Sequence, residues 1–461
     1  MNMNNIPEKN IFKAYDIRGV VDLTLTTETV EQIGRAIGSY ASKKKQKKIC
    51  VGYDGRLSSP KLSNALITGL LSTGIDVINI GLVTTPMLYF STHLLKTHSG
   101  VMITGSHNPP EYNGLKMVVD GITLSSDEIQ YLYQSIIDKE FSSGKGKLYH
   151  QDIKKSYLNK IKENIHLERS MAISVDCGNG AAGICAEELF SSLGVQVDTL
   201  FCNVDGNFPN HHPDPSNPKN LIDLQNNLKA TNSELGLAFD GDGDRLGVIT
   251  KSGEIIYPDR QLLLFAEDVL INNPGATIIF DVKSTRHLFK WIKDKGGIPM
   301  IWKTGHSFIK AKMKEESALL AGEMSGHTFF SDRWYGFDDG LYAGARLLEI
   351  LSRFSNPSEI LEALPKGFST PEINIKLNEG EQHKLIKKLQ TEVRFEGSME
   401  VNMIDGLRVE YKNGFGLIRA SNTTPVIVLR FEADTQVILE EIKDQFRENL
   451  SKYLPIKQII F

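Results

Sequence analysis

Apolar residues in this chain fall in short blocks separated by glycine and polar residues, a spacing that suits alternating strands and helices. A strand at 49–53, a helical stretch around 59–73, a strand at 76–80 and a strand at 100–103 form one round. The same order returns at 172–176, 195–198 and 235–239, and again at 277–281, 299–302 and 319–322. The repeat is one of pattern and spacing, with little residue identity, and it predicts three similar mixed α/β domains. From about 366 the pattern changes to alternating strands at 407–411 and 426–431, followed by an amphipathic helix near 436–452, which predicts a smaller C-terminal α+β domain. The expected domains are 1–152, 153–254, 255–365 and 366–461, with the Ser/Gly/Lys-rich stretch 142–155 as a first linker and a hinge near 366.

Each round ends its third strand in a polar loop. The first delivers Ile103-Thr104-Gly105-Ser106-His107-Asn108-Pro109-Pro110, the second Asp240-Gly241-Asp242-Gly243-Asp244-Arg245, and the third Glu323-Met324-Ser325-Gly326-His327. Equivalent loops of equivalent domains can face one shared cleft. A strand that breaks into a loop at Gly105 is where α/β folds carry reactive groups, and the two prolines hold that loop in one shape.

Length and composition narrow the class without naming the chemistry. The chain has 461 residues, 41% hydrophobic and 23% charged, with a formal net charge of −4. That balance excludes a nucleic-acid partner, and the run Lys43-Lys44-Lys45-Gln46-Lys47-Lys48 reads as a solvated connector. Cys50, Cys177, Cys185 and Cys202 have neither zinc nor disulfide spacing, so reduced thiols are expected. The N-terminus lacks signal architecture and no apolar run reaches membrane length, which predicts a soluble cytoplasmic protein with no membrane partner. His211-His212 lies in a proline-rich stretch with no third ligand in register and reads as part of a rigid connection.

Ser106 is no hydrolase nucleophile by pattern, because Asn108 stands where Gly-x-Ser-x-Gly needs its second glycine. Taken alone it would be a helix-capping serine. Asp240, Asp242 and Asp244 change that picture. Glycines between them allow three carboxylates to turn towards one point, where they repel unless a cation binds. A calcium EF-hand is excluded, since Arg245 and Lys251 occupy the positions that need glycine and glutamate. Mg²⁺ remains, with water and a phosphate oxygen completing its shell, and a phosphate on Ser106 would supply that oxygen. Arg419-Ala420-Ser421-Asn422-Thr423-Thr424-Pro425 reads as a phosphate cradle, and Arg18 as a further anion ligand. Glu323, Ser325 and His327 suit sugar hydroxyls, with His327 able to exchange a proton; Lys116 and His107 are candidates for charge stabilisation or proton transfer, and spacing does not choose among them.

In their order, Thr104-Gly105-Ser106-His107-Asn108-Pro109, Asp240-Gly241-Asp242-Gly243-Asp244-Arg245, Gly322-Glu323-Met324-Ser325-Gly326-His327 and Arg419-Ala420-Ser421-Asn422-Thr423 resemble the motifs of the α-D-phosphohexomutases, most closely the bacterial phosphomannomutase/phosphoglucomutase branch. The resemblance implies a four-domain, heart-shaped molecule whose C-terminal domain closes over the cleft. It implies a reversible mutase in which phosphoserine 106 phosphorylates a hexose 1-phosphate, the bound 1,6-bisphosphate turns over, and its other phosphate returns to Ser106. Mg²⁺ on Ser106, Asp240, Asp242 and Asp244 is implied, as is glucose 1,6-bisphosphate or mannose 1,6-bisphosphate as activator; a monomer is expected. By the same route Tyr15, Arg18, Lys116, Arg245, Lys283 and His306 become cleft residues, and Arg419, Ser421, Asn422 and Thr423 the phosphate site. Phosphoglucosamine mutases resemble the pattern too, but usually carry Ala-Ser-His-Asn-Pro and a glutamine before Ser-Gly-His, whereas Thr104-Gly105 and Met324 point to glucose and mannose phosphates. A phosphatase using the same serine and a non-catalytic sugar-phosphate sensor are the competing readings.

Overall fold

The computed structural model describes residues 6–422 and 424–461. Four sheets of seven, five, four and six strands follow one another along the chain. In the first, parallel strands Lys48–Tyr53, Asp76–Leu82 and Gly100–Ile103 lie in the spatial order third, first, second. Ala172–Asp176, Gln196–Leu200 and Leu235–Phe239 repeat that order in the second sheet. Thr277–Asp281, Ile298–Trp302 and Leu320–Gly322 repeat it in the third. The periodicity seen in the sequence is therefore a repeat of topology.

Each third strand then turns back through its polar loop into an antiparallel neighbour: Tyr112–Val119, Leu246–Thr250 and Thr328–Phe330 respectively. The sequence pattern did not mark these return strands. The last has three residues, too few to show a period, and all three are nearly continuously buried, so inside–outside alternation is lost. One expectation is corrected. Residues 142–155 are more than a linker, because Leu148–His150 adds an edge strand beside Asp76–Leu82. All three of its residues are exposed, so it has no apolar signature.

The first unit has an apolar cluster of its own around Ile33, Val51, Val101 and Leu132, and a second cluster is shared by the first three units. This second cluster runs from Met87 and Phe90 through Tyr157 and Leu237 to Phe265, Tyr342 and Leu348. Phe90, Tyr157 and Trp334, one from each unit, pack with ring centroids 5.5–6.2 Å apart. Such a core fixes the three loops relative to one another, since close-packed interiors deform little.

The fourth sheet is antiparallel and has its own core around Val409, Leu429, Phe431 and Phe446. It meets the third unit mainly through buried polar contacts. Arg408 Nη1 donates to Val282 O and Ser284 O at 2.7 and 2.6 Å, Arg430 Nη2 to Asp259 Oδ2 at 2.9 Å, and Thr285 Oγ1 to Glu432 Oε1 at 2.7 Å. Val282 against Phe415 and Leu417 adds a small apolar contact. The four cysteines are free thiols, with Cys177 Sγ and Cys202 Sγ 2.9 Å apart at the ends of neighbouring strands. Among the described residues no helix is long and apolar enough to cross a membrane.

Candidate active site

Ligands of open parallel sheets bind beyond the carboxyl ends of the strands, and three such ends converge here. A cleft of about 730 Å³ opens between the units. From the first unit it receives Tyr15, Arg18, Ser106, His107 and Lys116; from the second, Arg245. The third contributes Lys283, His306, Glu323, Ser325 and His327, and the fourth Arg419 and Ser421. Asn422 lines a neighbouring crevice of about 330 Å³ between the first and fourth units, next to Lys13 and Gln382. Thr423 lies outside the described residues.

Ser106 has φ of +49°, a left-handed conformation that costs a non-glycine residue about 1–3 kcal/mol and persists only where its surroundings enforce it. Its N–H donates to Thr104 Oγ1 at 2.8 Å, and its hydroxyl donates to Asp240 Oδ2 at 3.0 Å. His107 Nδ1 lies 3.1 Å from the same hydroxyl. Burial pushes His107 well below the usual imidazole range, assisted by Arg245 and Arg18, so its ring is neutral at pH 7. The serine and aspartate loops approach backbone to backbone: a Cβ on Gly241 would stand 2.3 Å from Ser106 O, so only glycine fits there.

Asp240, Asp242 and Asp244 are fully buried beneath the cleft floor, with one oxygen of each within 4.8 Å of the others. Lys116 Nζ donates to Asp242 Oδ2 at 2.8 Å and Asp244 Oδ2 at 2.5 Å, and Thr85 Oγ1 donates to Asp242 Oδ2 at 2.5 Å. Burial would raise Asp242, but Lys116 and the Thr85 hydroxyl outweigh it and hold that carboxyl below its ordinary value. Asp240 and Asp244 are raised, first by burial and then by the neighbouring carboxylates. Lys116 is itself raised, since Asp242 and Asp244 overcome its burial. It is a fixed cation and a poor proton acceptor. Asp242 Oδ1 and Asp244 Oδ1 are buried with no hydrogen-bond donor. Two orphaned carboxylate oxygens, a third carboxylate and a hydroxyl form a donor set for a small, hard divalent cation.

Opposite the serine, Arg245 Nε donates to His327 Nε2 at 3.1 Å, which leaves the His327 proton on Nδ1. That Nδ1 lies 3.1 Å from Asp338 Oδ2 and 3.5 Å from Asp244 Oδ1. Asp338 also accepts from Lys310 Nζ at 2.8 Å and stands 3.9 Å from His306 Nδ1. Burial pushes Asp338 up, but Lys310 and the histidines more than reverse that, so it is ionised. Nothing in the sequence marks Asp338, which follows a Trp-Tyr-Gly-Phe stretch and belongs to no recognised spacing. Glu323 Oε1 accepts the Gly305 N–H at 2.6 Å, which orients the carboxylate beside His306.

At the far end Arg419 Nε donates to Asp405 Oδ2 at 3.0 Å, an oxygen that also accepts the Thr304 N–H at 3.0 Å. Lys283 Nζ donates to Glu372 Oε1 at 2.6 Å, joining the third and fourth units across the cleft. Arg18 reaches Asn108 Oδ1 and Asp16 Oδ2, each at 2.5 Å, tying the first strand to the serine loop. His211 spends both ring nitrogens within the protein, on Asp176 Oδ2 at 3.0 Å and His212 O at 2.9 Å.

The arrangement combines a hydroxyl, a buried acidic triad and an arc of fixed cations, a set suited to moving anionic groups. Family profiles agree with it along the chain. Those described as phosphoglucomutase/phosphomannomutase, alpha/beta/alpha domains I, II and III match residues 9–143, 155–253 and 257–368, and that of the C-terminal domain matches 372–449. The chain is 57% identical to a phosphoglucomutase of Neisseria meningitidis serogroup A over 443 residues, covering 95% of this chain and 96% of that one. It is 55% identical to the phosphomannomutase/phosphoglucomutase of Pseudomonas aeruginosa over 442 residues, covering 96% and 95%. A crystal structure of a phosphoglucomutase/phosphomannomutase family protein from Burkholderia thailandensis superposes with a TM-score of 0.93 at 53% identity, covering 97% of this chain and 98% of that one. With its four profiles in order and its site assembled from all four units, this chain belongs to the phosphoglucomutase/phosphomannomutase family.

Proposed function

We propose that the enzyme moves a phosphoryl group reversibly between C1 and C6 of mannose and glucose phosphates, with Ser106 as the carrier. The observation that carries this reading is the Ser106 hydroxyl, 3.0 Å from the buried acidic triad, with His107 and Lys116 beside it on the cleft floor.

In the forward direction the Oγ–P bond of phosphoserine 106 breaks as a bond forms to O6 of a hexose 1-phosphate, and the O6 proton leaves to a base. The resulting 1,6-bisphosphate turns over in the cleft. Its C1 phosphoryl then returns to Ser106, while O1 regains a proton and the 6-phosphate departs. Arg419, Ser421, Asn422 and Thr423 hold whichever phosphate is not reacting, so the two orientations of the sugar use the same fixed contacts. Arg18, Lys116 and Arg245 balance the charge that spreads over the transferring group. Lys116 serves as a cation alone, because its two carboxylate partners keep it protonated. His327, backed by Asp338, carries the proton of the sugar hydroxyl. Glu323 and Ser325 read the sugar hydroxyls, with Tyr15, Lys283 and His306 completing the wall.

Asp240, Asp242, Asp244 and an oxygen of the phosphorylated serine would hold Mg²⁺, which supplies withdrawal of charge from the phosphoryl oxygens. A 1,6-bisphosphate primes unphosphorylated Ser106, and the enzyme works as a cytoplasmic monomer.

The test is a coupled mutase assay with Mg²⁺ and a trace of glucose 1,6-bisphosphate, comparing glucose 1-phosphate, mannose 1-phosphate and glucosamine 1-phosphate. Comparable turnover of the first two supports the dual-specificity reading. Turnover of glucosamine 1-phosphate alone keeps the mechanism and overturns the sugar assignment. Net release of inorganic phosphate marks a phosphatase, and binding without turnover of any of the three marks a sensor.

A further inference from the structure

We infer that Arg56 is a positioning residue for the reaction, its guanidinium holding the backbone of the Ser106 loop in the shape that presents the reacting hydroxyl. This rests on the reading of Ser106 as the phosphoryl carrier. Arg56 follows the strand Lys48–Tyr53 and is 1% exposed, among the largest fully buried side chains of the protein. Its Nη2 donates to Ser106 O at 2.8 Å and Asn108 O at 2.5 Å. Its Nη1 donates to Pro109 O at 2.6 Å and Tyr112 O at 2.9 Å. One side chain thus gathers three backbone carbonyls of the loop and one from the first residue of the strand Tyr112–Val119 that follows it.

The loop needs such a donor. Pro109 and Pro110 have no N–H; the Tyr112 N–H serves Pro109 O at 3.0 Å, and among the described residues no backbone N–H reaches the Ser106 or Asn108 carbonyl, which would be costly to leave buried without a donor. A planar fork with donors on several edges meets four acceptors at once; a lysine ammonium has three donors on one point and cannot. Asp54 fixes the fork from behind. Its Oδ2 lies 3.3 Å from Arg56 Nε and accepts the Gly105 N–H at 3.2 Å, while its Oδ1 accepts the Arg56 N–H at 3.1 Å. Phe208 of the second unit covers the guanidinium, 5.2 Å from its ring centroid.

Two consequences reach the serine. A Cβ on Gly105 would lie 2.5 Å from Arg56 Cζ, so the loop and the guanidinium are in contact immediately before Ser106. Drawing Ser106 O onto Arg56 also turns the next N–H, that of His107, to the opposite side of the planar peptide. The left-handed Ser106 is therefore clamped through its own carbonyl.

The experiment compares wild type with Arg56→Lys, which keeps the charge and loses the fork. Both are first incubated with glucose 1,6-bisphosphate and weighed by intact-protein mass spectrometry, then assayed with glucose 1-phosphate; loss of the Ser106 phosphate to water is followed in parallel. The expected result is a kcat lowered about 10²-fold, the scale of a misplacement of about 1 Å, with KM changed less than about twofold. Faster loss of phosphate to water is expected with it. A folded Arg56→Lys with wild-type kcat, or with kcat lost only in step with a raised KM, overturns the inference. Should Arg56→Lys fail to fold, Gly105→Ala decides, because it displaces the guanidinium without removing it: the same kcat loss at constant KM supports the clamp, and wild-type turnover overturns it. A wild type that takes up no phosphate on Ser106 overturns the carrier reading and this inference with it, whereas a phosphorylated wild type beside an indifferent variant sinks this inference alone.

Discussion

The Ser106 hydroxyl of the first unit donates to Asp240 Oδ2 of the second across 3.0 Å, although 134 residues separate them along the chain. The Ser106 hydroxyl and the acidic triad are thereby parts of one site. Ser106→Ala should lower kcat by about 10³-fold or more while leaving the fold intact, because the hydroxyl's partners are two polar groups of the site, Asp240 Oδ2 and His107 Nδ1, and none belongs to an apolar core. Coupled assay and thermal melting on the same preparation check this; near-normal turnover would refute the carrier role.

Lys116 is the sole side chain bonded to both Asp242 and Asp244 among the described residues, and it is 3% exposed. Lys116→Met removes the cation and leaves two buried carboxylates facing each other. Breaking a buried pair from one side costs about 3–5 kcal/mol, so a marked fall in denaturant midpoint is expected in EDTA. Added Mg²⁺ should recover part of it, which a purely steric defect would not show.

Mg²⁺ stabilisation should grow with pH. Burial and its neighbours raise Asp240 above its unfolded value, so the cation-free fold keeps a proton that the unfolded chain releases near pH 4. Stability from that carboxyl is therefore full at low pH and is lost as pH rises through the raised value. A bound cation displaces the proton and removes the loss. Asp242, shifted downward, acts in the opposite sense and only below the ordinary carboxylate range, outside a comparison from pH 5.5 to 7.5. At saturating Mg²⁺, about 100 times Kd, the gain approaches about 2.7 kcal/mol. Melting temperatures with and without Mg²⁺ across that range test it, and a shift that shrinks with pH contradicts the assignment.

Asp338 joins His327, His306 and Lys310 from beneath the cleft. Asp338→Ala should lower kcat about 10²-fold, the lower end of what acid–base assistance provides, with little change in KM. Asp338→Asn, which can still accept from Lys310, should lose less. Equal losses in the two variants would reduce Asp338 to a structural role.

Arg419 sits on the fourth unit, which has a separate core and a polar seam with the third. With Arg419 in the proposed phosphate site, Arg419→Ala should raise KM about 10–100-fold, the scale of a charge-assisted contact of about 1.5–3 kcal/mol. A polar seam opens with little exposure of apolar surface, so glucose 1,6-bisphosphate should reduce the radius of gyration in small-angle scattering. A profile unchanged by ligand would count against closure of the fourth unit.

Local chemistry was legible in the residues themselves. The Ser106 loop, the Asp-Gly-Asp-Gly-Asp run, the Glu323 loop and the Arg419 loop are each contiguous, and glycine or proline at fixed places announces a turn whatever surrounds it. The three rounds of strands were legible too, because the first and third strand of each is buried along most of its length and reads as an apolar run. Return strands such as Thr328–Phe330, and the exposed edge strand Leu148–His150, carried no period and went unseen.

Partnership was decided by the tertiary structure alone. Nothing near Lys116 in sequence says that its ammonium lies between Asp242 and Asp244, 126 and 128 residues away. Arg56 and Asp338 belong to none of the motifs; the fold alone buries the first against the carbonyls of the Ser106 loop and brings the second to two histidines. A residue's type and its neighbours in sequence determine which hydrogen bonds and charges it can offer. Which of them is answered depends on stretches far apart in the chain being brought together, and the packed cores supply that.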